Sequence, residues 1–306
     1  MIFLNVGLNI IQQGLCYALV AMGVYISYKI LNFPDLTVDS SFPLGAVVCF
    51  VLIQLGVPFV LAILLAFLAG SITGFITGFL HVKFKISPLL SGIITMTAFL
   101  SINLAVAKGR TLIPYGDKKT LFNNALTALF GDNLVSKALA NIIILVVVIV
   151  VIKIVLDLFF KTKCGYMLRA VGDNEQMSTS LGTNIGIYKI IGLCLANGLV
   201  AMAGAMYSQY MNYFDNTSGT GMVVIALASV IIGTSIFRKT KIIKGTTAAI
   251  FGALIYTGAL NIVIALGVPT IYLRLMMAVA FAIILIVSNI FSSEKRRNKR
   301  GGVNHA

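Results

Sequence analysis

Two carboxylates, Asp35 and Asp39, lie about one helical turn apart in NFPDLTVDSSFPLGA (Asn32–Ala46), between long apolar stretches. A carboxylate inside a membrane is costly, and where it occurs it commonly binds a coupling ion, a proton or a polar solute. Non-helical backbone is tolerated at membrane depth only where protein or a water-filled cavity surrounds it, as in transporters with broken helices. One interpretation is therefore a broken helix near 32–46 that lines a pathway.

The length of the following apolar run favours this interpretation, because Pro43–Gly56 would form a helix of only about 21 Å against a hydrocarbon core of about 30 Å. The alternative is an ordinary cytoplasmic turn, in which Asp39, Ser40 or Ser41 caps a helix whose first turn holds Pro43. The sequence leaves both open. The candidate pathway residues are Phe33, Pro34, Asp35, Asp39, Phe42 and Arg274.

Three other charged residues lie near the ends of apolar runs. Lys153 and Asp157 are spaced i, i+4 and are expected to pair with each other. Arg274 either extends its guanidinium towards water, as is usual for long basic side chains, or receives a substrate carboxylate.

Metal and hydrolytic chemistry have no support in the sequence. The two histidines, His81 and His305, are far apart, and the four cysteines show no CxxC spacing. The chain also lacks the GxxxxGK[ST] phosphate-binding motif, so any ATP is expected to be hydrolysed by another subunit. We predict a chain that is not an enzyme and has no cofactor of its own.

Composition places these residues in a membrane, because 59% of the 306 residues are hydrophobic and only 10% are charged. We predict an all-α, polytopic helix bundle over 1–292, without a soluble domain, and a basic cytoplasmic tail over 293–306. Hydropathy indicates nine transmembrane spans. They cover about 5–28, 37–56, 57–80, 86–106, 138–160, 185–208, 222–237, 245–266 and 270–291.

Basic residues set the predicted orientation. With the N-terminus outside and the C-terminus in the cytoplasm, most of the 23 lysines and arginines lie inside. The six that remain outside are Lys108, Arg110, Lys118, Lys119, Lys137 and Arg274. The net charge of +14 is therefore a topology signal and does not indicate nucleic-acid binding. In the third span, Gly70, Gly74 and Gly78 predict a face on which a neighbouring helix packs closely.

A polar segment, Cys164–Lys189, interrupts the apolar chain on the predicted cytoplasmic side. Asp173 followed by Gln176 predicts an N-cap with a capping box, and Gly182 predicts a helix end. The short helix between them, about 174–181, has a small apolar side formed by Met177 and Leu181. Two helical turns are not stable alone, so this helix needs a surface to bind.

Longer stretches resemble a known family. GYMLRAVGDNEQMSTSLGTNIGIYKIIGLCLANGLVAMAGAMYS (Gly165–Ser208) is similar to the ribose-type and branched-chain amino acid permeases of bacterial ABC importers. SGTGMVVIALASVIIGTSIFRKTKIIKGTTAAIFGALI (Ser218–Ile255) resembles a later segment of these permeases, although Phe237, Arg238 and Lys239 replace glycines common there. The form of NFPDLTV is more like a subgroup associated with tryptophan and tyrosine uptake.

The resemblance implies a multi-pass permease subunit of the bacterial cytoplasmic membrane, with a second permease copy as partner. It also implies a cytoplasmic ATPase dimer, which binds ATP and Mg²⁺, and an extracytoplasmic substrate-binding protein. The short helix becomes a coupling helix, with Asp173, Asn174, Glu175, Met177, Leu181 and Gly182 against the ATPase. An amino acid, preferably aromatic, is the expected solute; a sugar or nucleoside importer and a stand-alone ion-coupled transporter are the alternatives.

The predicted outer face has two candidate docking elements for a binding protein. One is the long loop Lys108–Lys137, in which TLFNNALTALFG predicts an interfacial helix. The other is YSQYMNYFDNTSG (Tyr207–Gly219), whose aromatic rings either mark the membrane interface or gate the substrate.

Overall fold

The computed structural model describes residues 2–116, 118–122, 134–180, 182–237, 244–265, 267, 272, 275–284 and 286. Several predicted features lie at least partly outside these residues, namely Leu181, Arg274, most of the interfacial helix in the long loop, part of the ninth span and the basic tail 293–306.

Helices dominate the described residues. They are α1 (Ile2–Val24), α2 (Val38–Gln54), α3 (Phe59–Phe84), α4 (Pro88–Val106), α5 (Leu134–Phe159), α6 (Lys163–Asp173), α7 (Glu175–Ser180), α8 (Ile185–Met211), α9 (Met222–Ile236), α10 (Gly245–Ala265) and α11 (Leu275–Ile284). A π-helical turn, Tyr25–Ile30, continues α1, and a 3-10 turn, Asn216–Gly219, precedes α9. The two short strands are β1 (Leu112–Pro114) and β2 (Tyr213–Asp215).

Seven of these helical segments are long and apolar enough to cross a membrane, and they coincide with seven of the nine predicted spans. At the second and ninth positions the described residues form shorter apolar helices, α2 and α11. The polytopic helical bundle predicted from composition is thus confirmed. The sequence did not predict the small β-ribbon.

Helix α8 is the central element of the bundle, and its most extensive neighbours are α1, α2 and α3. The predicted glycine face of α3 packs directly on it. A β-carbon at Gly70 or Gly74 would overlap backbone atoms of α8, and one at Gly78 would crowd Ile190. The glycines therefore serve close packing within the chain.

The outer helices show the opposite distribution of apolar surface. In the span formed by α5 only 17% of residues are buried, compared with 72% in α8. Valine, leucine and isoleucine side chains cover the exposed faces of α3, α4 and α5. A broad apolar surface of this kind is what a lipid environment requires.

The two ends of α8 define two ends of the molecule. Near Ile185 lie α6 and α7, and after Met211 the chain enters β2. Strands β1 and β2 pair antiparallel, with Ile113 opposite Phe214. This ribbon joins the two elements that the sequence predicted separately for the outer face, so both lie at the end opposite α7.

Candidate functional site

Between Ile30 and Val38 the chain leaves the helical conformation inside the bundle, with a turn at Asn32, which has a φ of +52°, and we call this part the extended segment. Alternate side chains point inward, as in a strand: Phe33 is 2% and Asp35 is 6% exposed, whereas Pro34 faces outward. The break in the helix therefore covers 31–37, shorter than the 32–46 predicted.

The alternative of a turn capped by Asp39, Ser40 or Ser41 is wrong in its details, because all three residues lie inside α2. Pro43 is the sixth residue of that helix and does not lie in its first turn. The turn is made earlier, where an Asp35 carboxylate oxygen accepts a hydrogen bond from the Thr37 backbone N–H at 2.9 Å.

The carboxylate of Asp35 belongs to a buried hydrogen-bonded group that joins α2, α3 and α8. Its other oxygen accepts the side-chain amide of Asn197 at 2.7 Å. The Asn197 carbonyl oxygen accepts the hydroxyl of Ser41 at 2.7 Å, and Ser41 also lies 2.7 Å from the Thr73 hydroxyl. We call this group, together with the Thr37–Thr77 hydroxyl pair at 2.8 Å, the polar cluster.

The polar cluster lies near the middle of two long helices. Asn197 follows the start of α8 at Ile185 by about 18 Å of helix rise, and Thr73 lies near the midpoint of α3. All its members except Asp35 are less than 2% exposed. Such a position satisfies the condition for irregular backbone within a membrane protein, namely that protein surrounds it.

Asp39 is not part of the polar cluster. Its two carboxylate oxygens accept the backbone N–H groups of Gly221, at 3.1 Å, and Val223, at 2.9 Å. It therefore caps the N-terminus of α9 from another helix, where a negative charge is favourable. Asp39 thus makes a structural contact with α9. Among the described residues, its carboxylate and that of Asp35 share no hydrogen-bond partner.

At the β-ribbon end, a cavity of about 100 Å³ lies beside the aromatic residues. It is lined by Tyr207, Ser208, Tyr213, Asp215 and Ser218, and we call it the ribbon cavity. The Asp215 carboxylate accepts the N–H and the hydroxyl of Thr217, both at 2.8 Å. The cavity thus offers two tyrosine side chains, two serine hydroxyls and one carboxylate.

Ring contacts lead from this cavity towards the polar cluster. The ring of Tyr207 stacks with Tyr17 and tilts against Phe42, in each case with 5.6 Å between ring centroids. Phe42 directly follows Ser41 of the cluster. Beside the cavity, Tyr115 hydrogen bonds to Ser208 at 3.0 Å, and burial raises the pKa of Tyr115 well above its usual value.

The short helix predicted at about 174–181 is present as α7, but its N-cap differs from the prediction. Asp173 is the last residue of α6, and Asn174 caps α7 by accepting the Met177 backbone N–H at 3.0 Å. Asn174 can do so because it has extended dihedral angles, which end α6. The capping box of Asp173 and Gln176 is therefore wrong.

The predicted helix end at Gly182 is confirmed. Gly182 has a φ of +74°. Its N–H donates to the Thr179 carbonyl at 2.9 Å, and the Thr183 N–H donates to the Ser178 carbonyl at 3.2 Å. This pair of bonds is the Schellman motif. Met177 projects from α7 with 63% of its surface exposed.

Side chains connect α7 to the extended segment. Glu175 forms an ion pair with Lys189 of α8 at 2.7 Å, so its carboxylate has a basic partner within the chain. The Lys189 ammonium lies 3.4 Å from Nε2 of His81, whose Nδ1 lies 2.8 Å from the Ile86 carbonyl. With its hydrogen on Nδ1, the His81 ring donates to the Ile86 carbonyl, and its Nε2 accepts from the Lys189 ammonium.

The edge of Phe33 meets the His81 ring at 5.2 Å between centroids. We refer to Glu175, Lys189, His81 and Phe33 as the α7 contact chain. It ends two residues before Asp35.

The predicted pair of Lys153 and Asp157 is confirmed, at 3.2 Å. Asp157 additionally accepts Lys244 and Thr246, each at 3.0 Å. Across the described ranges, no three histidine, cysteine, aspartate or glutamate residues are grouped so that they could hold a metal ion.

Several of these residues were missed from sequence. Thr73 and Thr77 follow Gly70 and Gly74 by three residues each, which places them beside the packed glycine face. Because this spacing is visible in the sequence, both threonines could have been predicted. Asn197 is an amide in the apolar middle of α8, which signals a need for a buried partner. The pairing of Asp39 with α9 and the ribbon cavity had no local signal.

Comparisons with known proteins agree with this architecture. The family described as branched-chain amino acid transport system, permease component, matches residues 7–288. The tyrosine transport system permease protein of Clostridioides difficile is 40% identical over 96% of this chain and 95% of its own length.

The ribose import permease of Bacillus subtilis is 30% identical over 87% of this chain and 79% of its own. An uncharacterized protein of Rickettsia prowazekii is 31% identical over 96% and 100%, respectively. No solved structure matches the chain. The chain belongs to the family of permease components of branched-chain amino acid transport systems.

Proposed function

We propose that this chain is the membrane-spanning subunit of an ATP-driven importer that carries an aromatic amino acid into the cytoplasm. The observation that carries the proposal is the placement of a polar cluster between an aromatic, carboxylate-bearing cavity and a projecting short helix at the opposite end. The 40% identity to a tyrosine transport permease supports both the activity and the class of solute.

The charge distribution supports the orientation. Lys83, Lys85, Lys161, Lys163, Lys189 and Lys244 lie at the α7 end, which supports a cytoplasmic location of this end by the positive-inside rule. An ATPase dimer that binds ATP and Mg²⁺ then docks on α7, with Met177 as an exposed apolar anchor. The β-ribbon end faces the outside and receives a substrate-binding protein, and a second permease copy completes the assembly.

The ribbon cavity has the chemistry to accept an aromatic amino acid. Its carboxylate, Asp215, suits the α-ammonium group, and the rings of Tyr207 and Tyr213 suit the aromatic side chain. Beyond Phe42, the polar cluster offers hydroxyl, amide and carboxylate groups. In the described conformation these groups satisfy one another, which corresponds to a closed pathway.

The α7 contact chain provides the route by which the ATPase opens this pathway. Helix α8 carries both Lys189, which pairs with α7, and Asn197, which holds Asp35. A shift of α7 is therefore transmitted through α8 and through His81 and Phe33 to the extended segment. One route runs along α8 and the other runs through His81 and Phe33. Both consist of residues in direct contact, and coupling between distant sites requires such contacts.

One observation favours a second candidate, an ion-coupled transporter that works alone. Asp35 is a carboxylate buried at mid-helix, the type of residue that binds a coupling ion. Here its oxygens already have two donors, Thr37 and Asn197, which favours a structural or gating role in the importer.

Uptake by the reconstituted system separates the candidates. The chain is placed in liposomes with and without the ATPase and binding protein, and labelled tyrosine is offered with excess ribose or leucine as competitor. We expect uptake that needs ATP and the ATPase, that stops with vanadate, and that unlabelled tyrosine inhibits more than ribose or leucine does. Uptake by the chain alone, driven by an ion gradient and abolished by an ionophore, would contradict the proposal.

A further inference from the structure

A second cavity, of about 210 Å³, lies at the α7 end, where the ends of α5, α6 and α10 meet. It is lined by Tyr25, Asp157, Phe160, Lys161, Tyr166, Arg169, Lys244, Gly245 and Thr246, and we call it the basic cavity. It shares no residue with the polar cluster, the ribbon cavity or the α7 contact chain. The proposed transport pathway therefore leaves it without a role.

The cavity has an excess of positive charge. Its one carboxylate, Asp157, is already bonded to Lys153, Lys244 and Thr246. Lys161 and Arg169 have no carboxylate within ion-pair distance in the described part of the chain. These two cationic groups thus line the cavity without an ion-pair partner among the described residues, and both are exposed to solvent.

Packing fixes parts of the cavity wall. The Arg169 guanidinium lies 5.0 Å from the centre of the Phe160 ring, a cation–π contact that holds its position. A β-carbon at Gly245 would overlap the Tyr25 hydroxyl, so this glycine lets Tyr25 close the wall. Gly245 also begins α10, whose first N–H groups lack helical partners and favour an anion.

The surroundings of the cavity are those of a membrane surface. On α5, Ile154 and Val150 lie three and seven residues before Asp157, on the same helix face, and expose 50% and 45% of their surface, respectively. Tyr166, on the cavity wall, is 60% exposed, as expected for an aromatic residue at the lipid headgroup level. A ligand in the cavity therefore has cations at one side and an apolar helix face next to it.

We propose that the basic cavity binds the phosphate headgroup of an anionic phospholipid, with Lys161, Arg169 and Lys244 around the phosphate and an acyl chain along α5. Basic pockets between helix ends on the cytoplasmic side are a recurrent form of lipid recognition. The assignment to the cytoplasmic leaflet rests on the orientation in the proposed function; the binding itself does not.

Native mass spectrometry of the detergent-solubilised chain, without ATPase, tests this directly. The protein is titrated with phosphatidylglycerol, phosphatidylcholine or inorganic phosphate. The test variant is Lys161→Gln with Arg169→Gln, and the matched control is Lys83→Gln with Lys85→Gln, two exposed lysines at the same end outside the cavity. Circular dichroism and gel filtration confirm that both variants remain folded.

We expect the wild type and the control to retain phosphatidylglycerol in preference to phosphatidylcholine. The test variant should bind phosphatidylglycerol about 10- to 30-fold more weakly, since it lacks two charges near the headgroup. Equal retention by the test variant would overturn the proposal. So would binding of inorganic phosphate that displaces the lipid, because the site would then recognise a free anion.

A separate pull-down with the ATPase addresses a protein ligand for the same cavity. If the test variant loses the ATPase while its phosphatidylglycerol affinity is unchanged, the cavity is a protein contact and the lipid proposal is wrong. Because lipid binding is measured on the isolated chain, its failure leaves the importer proposal standing, and the reverse also holds.

Discussion

Asn197 uses both ends of its side-chain amide at the centre of the bundle. It donates to Asp35 and to the Leu193 carbonyl, and it accepts from Ser41. In a low-dielectric interior each of these bonds matters mainly because losing it leaves a buried group without a partner. The residue therefore fixes the position of the Asp35 carboxylate and of the start of α2.

Replacing Asn197 with leucine is expected to lower the free energy of unfolding by about 1–3 kcal/mol, because the substitution leaves a buried carboxylate with one donor fewer. Thermal unfolding in detergent measures this. Asn261→Leu is the matched control, since Asn261 also donates to the carbonyl four residues earlier but its other partner is the neutral Gln13. A smaller loss in Asn197→Leu than in the control would contradict this account.

Lys189 is the middle of the α7 contact chain; it is buried, but its partner Glu175 is 54% exposed, so the Glu175 carboxylate stays solvated when Lys189 is replaced by an apolar side chain. Lys189→Met should therefore shift the melting temperature slightly while it reduces tyrosine uptake per ATP hydrolysed by about half or more. Lys153→Met is the control, because Asp157 keeps Lys244 and Thr246. An unchanged uptake-to-ATP ratio in Lys189→Met would exclude this route of coupling.

At the scale of elements, the close contact of α3 with α8 positions most of the polar cluster. Thr73 and Thr77 of α3 bond to Ser41 and Thr37 at the start of α2, beside the face on which Gly70 and Gly74 let the backbones of α3 and α8 approach. The contact is thus both a packing surface and the support of the site.

Gly74→Ala is expected to destabilise the protein and to reduce uptake, because the new β-carbon would overlap the Leu193 carbonyl of α8. Gly258→Ala in α10 is the control, where the nearest atom lies at 3.7 Å. There, alanine should be neutral or should stabilise by about 0.5–1 kcal/mol, since it favours the helix. Thermal unfolding measures the stability of both variants. A Gly74→Ala protein as stable as the wild type would refute the packing argument.

Local signals predicted the elements better than they predicted the contacts between them. The end of α7 at Gly182 was predictable because a Schellman motif depends on neighbouring residues. The N-cap was placed one residue early, since α6 and α7 adjoin and both Asp173 and Asn174 are suitable caps. Apolar length predicted most spans.

The missing part of the site comes from contacts between residues far apart in sequence. Asp35 was a candidate from its position in an apolar region, but its partner Asn197 follows 162 residues later. The same holds for Asp39 and α9 and for the two strands of the β-ribbon, whose pairing brings the two predicted outer elements together. No periodicity in one segment carries such information.

At the scale of the whole molecule, the two ends have different chemistry and the polar cluster lies between them. The β-ribbon end has an aromatic cavity with a carboxylate, and the α7 end has basic residues and the exposed Met177. This asymmetry fits the proposed import, in which the solute and the ATPase would act on opposite sides.

Asp215→Asn tests the solute end. Asparagine keeps an oxygen that can accept the Thr217 N–H, so the local turn should persist, but the negative charge is lost. We expect the KM for tyrosine uptake to rise about tenfold, the value of a charge-assisted hydrogen bond, while the uptake-to-ATP ratio stays constant. Asp173→Asn, at the other end, should leave the KM unchanged. An unaltered KM in Asp215→Asn would remove Asp215 from the pathway.

Co-purification shows whether α7 couples this chain to an ATPase, as we propose. The wild type, Met177→Asp and Leu55→Asp are each purified with the ATPase subunit, Leu55 being an exposed apolar residue, 75% accessible, at the opposite end. We predict that the ATPase accompanies the wild type and Leu55→Asp and is lost from Met177→Asp, with all three chains folded. Full retention of the ATPase by Met177→Asp, or no ATPase with the wild type, would contradict the account.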